Sequence, residues 1–126
     1  MVKGDKMKKI GQVRKVMDIS AEDIQEVLIG AFEGGSNYWL LKARVKDKDY
    51  KGGKYASDVI GLGGELILTT TEGEKHTQTQ EKMIKGIQIY LDNTNLQNFP
   101  FEETNPDGFT YDNMVQYALF GELVYG

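Results

Sequence analysis

Three observations predict a single α+β domain with a small antiparallel or mixed sheet and about four helices packed mainly on one face. Apolar residues recur at helical spacing in four separated stretches. Strand-like runs lie between them, alternating at 42–45 and Thr-rich in a hairpin, and glycine pairs punctuate the joins. At 126 residues the chain suits one domain, 1–126, long enough to bury a core without metal or disulfide support. Residues 1–9 read as a flexible basic N-terminus.

Residues 10–19 alternate as a first strand, with Val13, Lys15 and Met17 on one face and Arg14, Val16 and Asp18 on the other. Ser20 and Asp23 then approximate a capping box, and Ile19 with Ile24 occupies the two positions of a hydrophobic staple. Ile24, Val27, Leu28 and Ala31 fall at i, i+3, i+4 and i+7, one apolar helical stripe. Gly34 or Gly35 supplies the residue that ends this helix. Residues 38–45 read as a strand, 47–53 as a polar loop, and 55–62 as a short helix with Tyr55, Val59 and Leu62 on one side. Residues 65–71 and 75–78 flank Glu72-Gly73-Glu74, a hairpin turn. Thr79 caps a helix running to about Asp92, with Met83, Ile84, Ile87 and Leu91 inward and Tyr90 at the edge. Residues 93–109 form a long irregular segment with two prolines, of a length that marks either a functional loop such as a lid or a disordered one. A last helix after Thr110 turns Tyr111, Met114, Val115, Ala118 and Leu119 inward. Gly121 closes it, and residues 123–125 read as a final strand.

Charge and composition narrow the function classes. The net charge of −4 conceals a basic start: residues 1–15 hold six bases against Asp5, which leaves the other 111 residues at −9. An acidic body argues against nucleic acid as a partner, and no Lys or Arg follows Asp92. The absence of cysteine removes a disulfide scaffold, a thiolate nucleophile and Cys-ligated zinc. No apolar run reaches the roughly 18 residues of a membrane span and no leader pattern is visible, so the expected location is cytoplasmic, with no membrane partner.

Chemistry-bearing residues are few. His76, the single histidine, sits among Thr and Gln and reads as a surface strand residue. Glu102, Glu103, Asp107 and Asp112 are close in sequence, but Asn105-Pro106-Asp107-Gly108 is turn chemistry without calcium-loop spacing. No catalytic residue, metal ligand or cofactor is expected, and the chain does not read as an enzyme. Glycine makes up 15 of the residues, about 12% against an average near 7%. Gly52-Gly53-Lys54 ahead of a helix has two readings: plain capping, favoured, or a phosphate cradle of backbone N–H groups with Lys54 beside them. Tyr38-Trp39 at a helix-to-strand junction, and Tyr55, either plug the core edge or offer stacking surfaces. With Asn37, Lys54 and Ser57 they compose the candidate ligand-binding set: Asn37, Tyr38, Trp39, Lys54, Tyr55 and Ser57.

The segments Glu33-Gly34-Gly35-Ser36-Asn37-Tyr38-Trp39, Tyr55-Ala56-Ser57-Asp58, Gly63-Gly64-Glu65-Leu66, Lys85-Gly86-Ile87 and Gln116-Tyr117-Ala118-Leu119-Phe120-Gly121-Glu122 resemble a family of small proteins encoded by phages and integrated mobile elements of Gram-positive bacteria. The resemblance spans about residues 13–126, departs at Ser36 (where the pattern has Ile) and in the 93–109 loop, and carries over no activity. What it implies is a non-enzymatic accessory protein that acts by binding inside the bacterial host. One version is an anti-defence protein that sequesters a nucleotide-type immune signal, often as a homo-oligomer. The alternative is a protein-binding inhibitor or regulator of a host defence factor, using the acidic C-terminal third.

Overall fold

The computed structural model describes residues 10–11, 16–94 and 108–126. Among the described residues it is a small α+β domain with a three-stranded antiparallel sheet and four α-helices. In chain order these are α1 (Ala21–Gly30), β1 (Leu40–Val45), α2 (Ala56–Val59), β2 (Leu66–Thr70), β3 (Lys75–Gln78), α3 (Gln80–Thr94) and α4 (Gly108–Phe120). The sheet order is β1-β2-β3.

Local sequence chemistry accounts for most of the boundaries. The Ser20 hydroxyl accepts the Asp23 N–H at 3.1 Å while the Asp23 carboxylate accepts the Ser20 N–H at 3.0 Å, a reciprocal cap. Ile24, Val27, Leu28 and Ala31 are all buried behind it. The helix does not stop at one glycine. It widens into a π turn, Ala31–Gly35, in which Ser36 N–H reaches back to Ala31 C=O at 2.9 Å. The β2–β3 hairpin turns where expected, with Gly73 at φ 88° and its N–H on Thr70 C=O. Thr79 caps α3 by accepting the Lys82 N–H.

One face of the sheet is apolar. Val45, Leu66 and Gln78 form one cross-strand row and Ala43, Leu68 and His76 the next. These rows carry the buried Val45, Leu66 and Leu68 of the core. Lys42, Arg44 and Lys75, at alternate positions on β1 and β3, are exposed, so helices pack on one side only. Two glycines then admit α4 into the middle, one under a side-chain ring and one against backbone. A Cβ on Gly30 would fall 1.9 Å from the Tyr111 ring, and one on Gly35 would fall 2.2 Å from Gly108 C=O. On the other flank, a Cβ on Gly86 would meet Ala118 N at 2.4 Å. Helix α4 is consequently buried nearly all round, polar residues included.

The structure corrects several expectations. Of the first strand, residues 12–15 lie outside the described residues, and 16–20 join no ladder. The alternation is real at 16–19, since Met17 and Ile19 pack on the core while Val16 is exposed, but these residues belong to no strand. Tyr55 and Leu62 do not share an inward face with Val59. Helix α2 is a single turn, and Val59 with Ile60 makes the core contact. Ile84 is 45% exposed, while Tyr90 is buried, because the α3 stripe centres on Gly86 against α4. His76 is half-buried on the helix side, edge-on to Phe120 at 5.1 Å. Residues 123–125 are not a strand; their backbone is held by a side chain, as described below. Of the expected lid, residues 95–107 lie outside the described residues, its ends belonging to α3 and α4.

Candidate functional site

The π turn and the two residues after it deliver Ser36, Asn37, Tyr38 and Trp39 against the middle of α4, because Gly30 and Gly35 let the two backbones meet. Asp112, one turn into α4, is the point of convergence. Its Oδ1 accepts Ser36 Oγ–H and Trp39 Nε1–H, each at 2.7 Å. Its Oδ2 accepts Tyr38 O–H at 2.5 Å and Gln116 Nε2–H at 3.0 Å. Asp112 is 1% exposed. A carboxylate this deep must be solvated by protein dipoles, and four donors do so without a cation. Burial, then the Asp112 carboxylate, pushes the Tyr38 phenol up to about 12, so it remains a hydrogen-bond donor at neutral pH.

Tyr38 itself is 53% exposed. Its hydroxyl is fixed from below by Asp112 and by Gln116 Nε2 at 3.1 Å. The ring therefore stands at the surface in one orientation, with the exposed Asn37 beside it. Trp39 is the opposite case. It is 1% exposed, tilted against Phe120 at 5.7 Å and stacked by Tyr125 at 5.1 Å with only 3° between the planes. Trp39 thus presents no face to solvent in the single chain.

Tyr125 reaches Trp39 because Gln116 holds the segment after α4. Gln116 Oε1 accepts the Val124 and Tyr125 N–H groups at 2.9 and 2.8 Å, and its Nε2 donates to Tyr125 C=O at 3.2 Å. Those bonds also fix the amide orientation, since a backbone N–H can only donate. Tyr125 O–H lies 3.4 Å from Glu72 across the hairpin turn.

The remaining candidates lie elsewhere. Lys54, Tyr55 and Ser57 sit around the start of α2, beside the first turn of α1. Tyr38 follows the far end of α1 and its π turn, which at 1.5 Å per residue puts roughly 20 Å between the groups. A cleft of about 270 Å³ at the α2 end is lined by Glu22, Gly53, Lys54 and Asp58, among others. Its chemistry disfavours an anion. The N–H groups of Lys54 and Tyr55, the donors a phosphate would need, are both taken at 2.9 Å by Asp58, the cap of α2. These bonds hold the Asp58 carboxyl below its usual range, and Gln25 donates to its other oxygen. The capping reading of Gly52-Gly53-Lys54 describes this loop. Lys54 Nζ lies 5.4 Å over the Tyr55 ring, which is 60% exposed.

Sequence reasoning missed the role of Gln116, and it weighed Asp112 only as one of four acidic residues near a loop, whereas Asp112 is buried in α4. The available signal was Asp112 and Gln116 at i and i+4 in the final helix, the spacing at which Asp and Gln meet. Ser36 is buried with its hydroxyl on Asp112; an isoleucine there would satisfy the burial and lose the bond.

No protein-family model, curated protein or solved structure matches this chain. Its chemistry must be read from the corner itself. Asp112 is occupied by four donors and out of solvent, so it is not placed to act as a base. What faces outward is an anchored aromatic ring and a free amide. Among the described residues no group of three or more His, Cys, Asp or Glu is placed to hold a metal, and no helix is long and apolar enough to cross a membrane.

Proposed function

We propose that this chain is a non-enzymatic binding protein that sequesters a nucleotide-type signalling molecule, as an anti-defence accessory protein of a phage or mobile element. The observation that carries the reading is the Tyr38 ring, half exposed and yet held by Asp112 and Gln116. A ring already fixed loses little freedom when a base stacks on it, and such stacking is worth about 1–3 kcal/mol per base. Asn37 offers a donor and an acceptor to the edge of that base. The exposed Lys54–Tyr55 pair lies too far away to grip the same nucleotide within one chain. A symmetric homo-oligomer, the state in which such binders often work, belongs to the proposal.

The rival reading, an acidic surface that captures a host protein, gains no support from α4, where Asp112 is buried; Glu102, Glu103 and Asp107 lie outside the described residues. A thermal-shift panel of cyclic dinucleotides and ADP-ribose-type nucleotides tests the proposal. A shift with at least one compound, reduced in Tyr38→Ala, is expected, and no shift with any of them refutes it.

A further inference from the structure

The Trp39 ring is covered, and what covers it is another planar ring carried on a segment with no strand partner. We infer that the face of Trp39 under Tyr125 is a binding surface for an adenine-type base, with residues 123–126 as its displaceable occupant. The identity of the incoming ring rests on the proposed nucleotide binding; the displaceability of the segment does not.

Three features carry the inference. The 3° interplanar angle and 5.1 Å centroid distance make Tyr125 on Trp39 an offset stack of the kind a base makes on an indole. The backbone of the segment is held by one side chain: Gln116 Oε1 takes two N–H groups and Nε2 gives to one C=O. A carboxamide presenting an acceptor and a donor side by side is the group that reads the N6/N7 edge of adenine. The segment therefore already supplies both halves of what a base would supply, a ring on Trp39 and a donor–acceptor edge on Gln116. Outside those contacts the Tyr125 ring also packs on Phe120 at 5.9 Å and against the edge of the core, and the rest of the segment is held weakly. Leu123 and Val124 are exposed, and the Tyr125 O–H bond to Glu72, at 3.4 Å, is at the long limit. A Cβ on Gly126 would lie 3.6 Å from the Tyr38 hydroxyl, so displacement would extend the Tyr38 surface into the Trp39 surface.

The test uses the full chain and its single tryptophan. Amide exchange of Val124 and Tyr125 is expected to be at least about 100-fold faster than that of Leu68 in the β2 ladder, by the logic of local opening. Tyr125→Ala is expected to raise acrylamide quenching of Trp39 and to bind adenosine monophosphate about 3- to 10-fold more tightly, the worth of the aromatic pair removed. Should Tyr125→Ala unfold, Tyr125→Leu keeps apolar cover without the stack and carries the same expectation. Exchange as slow as the ladder overturns the displaceable segment. So does equal nucleotide affinity in both proteins with Trp39 emission unmoved, and in that case Tyr38-dependent binding still stands. If neither protein binds adenosine monophosphate although the variant bares Trp39, the base-binding surface is overturned. The proposed function falls only if the whole nucleotide panel fails as well.

Discussion

Replacing Asp112 by Asn tests the geometry on which the corner depends. The carboxylate accepts from Ser36, Trp39, Tyr38 and Gln116, four donors with no cation among them. Two effects oppose each other. Removing a buried charge relieves a desolvation penalty of several kcal/mol, while each hydrogen bond to a charged group contributes about 1.5–3 kcal/mol. Four such bonds outweigh one desolvated carboxylate. An Asn keeps an acceptor where Oδ1 serves Ser36 and Trp39, but places an amide N–H₂ where Tyr38 and Gln116 now donate. Tyr38 can turn its hydroxyl to accept, whereas Gln116 cannot flip without abandoning the Val124 and Tyr125 N–H groups. Both charge-assisted bonds to Oδ2 are lost, Gln116 Nε2 keeping only Tyr38 Oη and Tyr125 C=O as acceptors, a net cost of about 2–4 kcal/mol once the relieved desolvation is subtracted. For a domain this size that lowers the unfolding midpoint by about 8–15 °C. Calorimetry reads the shift directly, and Trp39 emission should change because its Nε1–H partner is weakened. A midpoint within about 2 °C of wild type would show that the four contacts do not act as a network.

Three further outcomes follow from the same packing. Gly86→Ala, which would gain about 1 kcal/mol in an exposed helix, should instead cost about 1–3 kcal/mol by overpacking, because its Cβ would sit 2.4 Å from Ala118 N; denaturant titration checks the sign. Gln78 is fully buried with neither amide atom partnered, so Gln78→Met should stabilise by about 1–2 kcal/mol, and a loss of stability would mean that the amide is satisfied. Tyr38 and Tyr111 are both raised to about 12, Tyr111 by burial and by Glu26, against 10.0 for a free phenol. Above pH 10 the unfolded chain releases those protons first, so the folded form binds more protons and stability should fall from about pH 10 towards 12. Ultraviolet titration of the phenols alongside alkaline unfolding follows both.

How far the molecule was legible in its sequence depended on whether the signal was local. The Ser20–Asp23 cap, the α1 stripe, the Gly73 turn and the Thr79 cap all act within a few residues, and each reads correctly from the chain. The described end of the first strand, 16–19, lies outside the sheet because alternation reports which side of a segment faces the core, not whether a partner strand is present. Ile84 and Tyr90 exchanged roles because the inward face of α3 is set by the fit of Gly86 on Ala118, a long-range fact. The corner was half legible. Tyr38 and Trp39 stood out as aromatics at a junction, but which of them faces water is decided by Asp112, more than 70 positions away. The Gly52-Gly53-Lys54 loop was ambiguous for the same reason, its donors being claimed by a carboxylate that closes the turn only once α2 forms.

The most direct measurement is calorimetric titration of the wild-type chain and Tyr38→Ala with the nucleotides of the panel. The account predicts saturable binding of at least one of them by the wild type. It further predicts an affinity at least about tenfold weaker in the variant, at an unfolding midpoint little changed by loss of a half-exposed ring. Heats no larger than dilution for every compound, or an affinity indifferent to the ring at position 38, would contradict it.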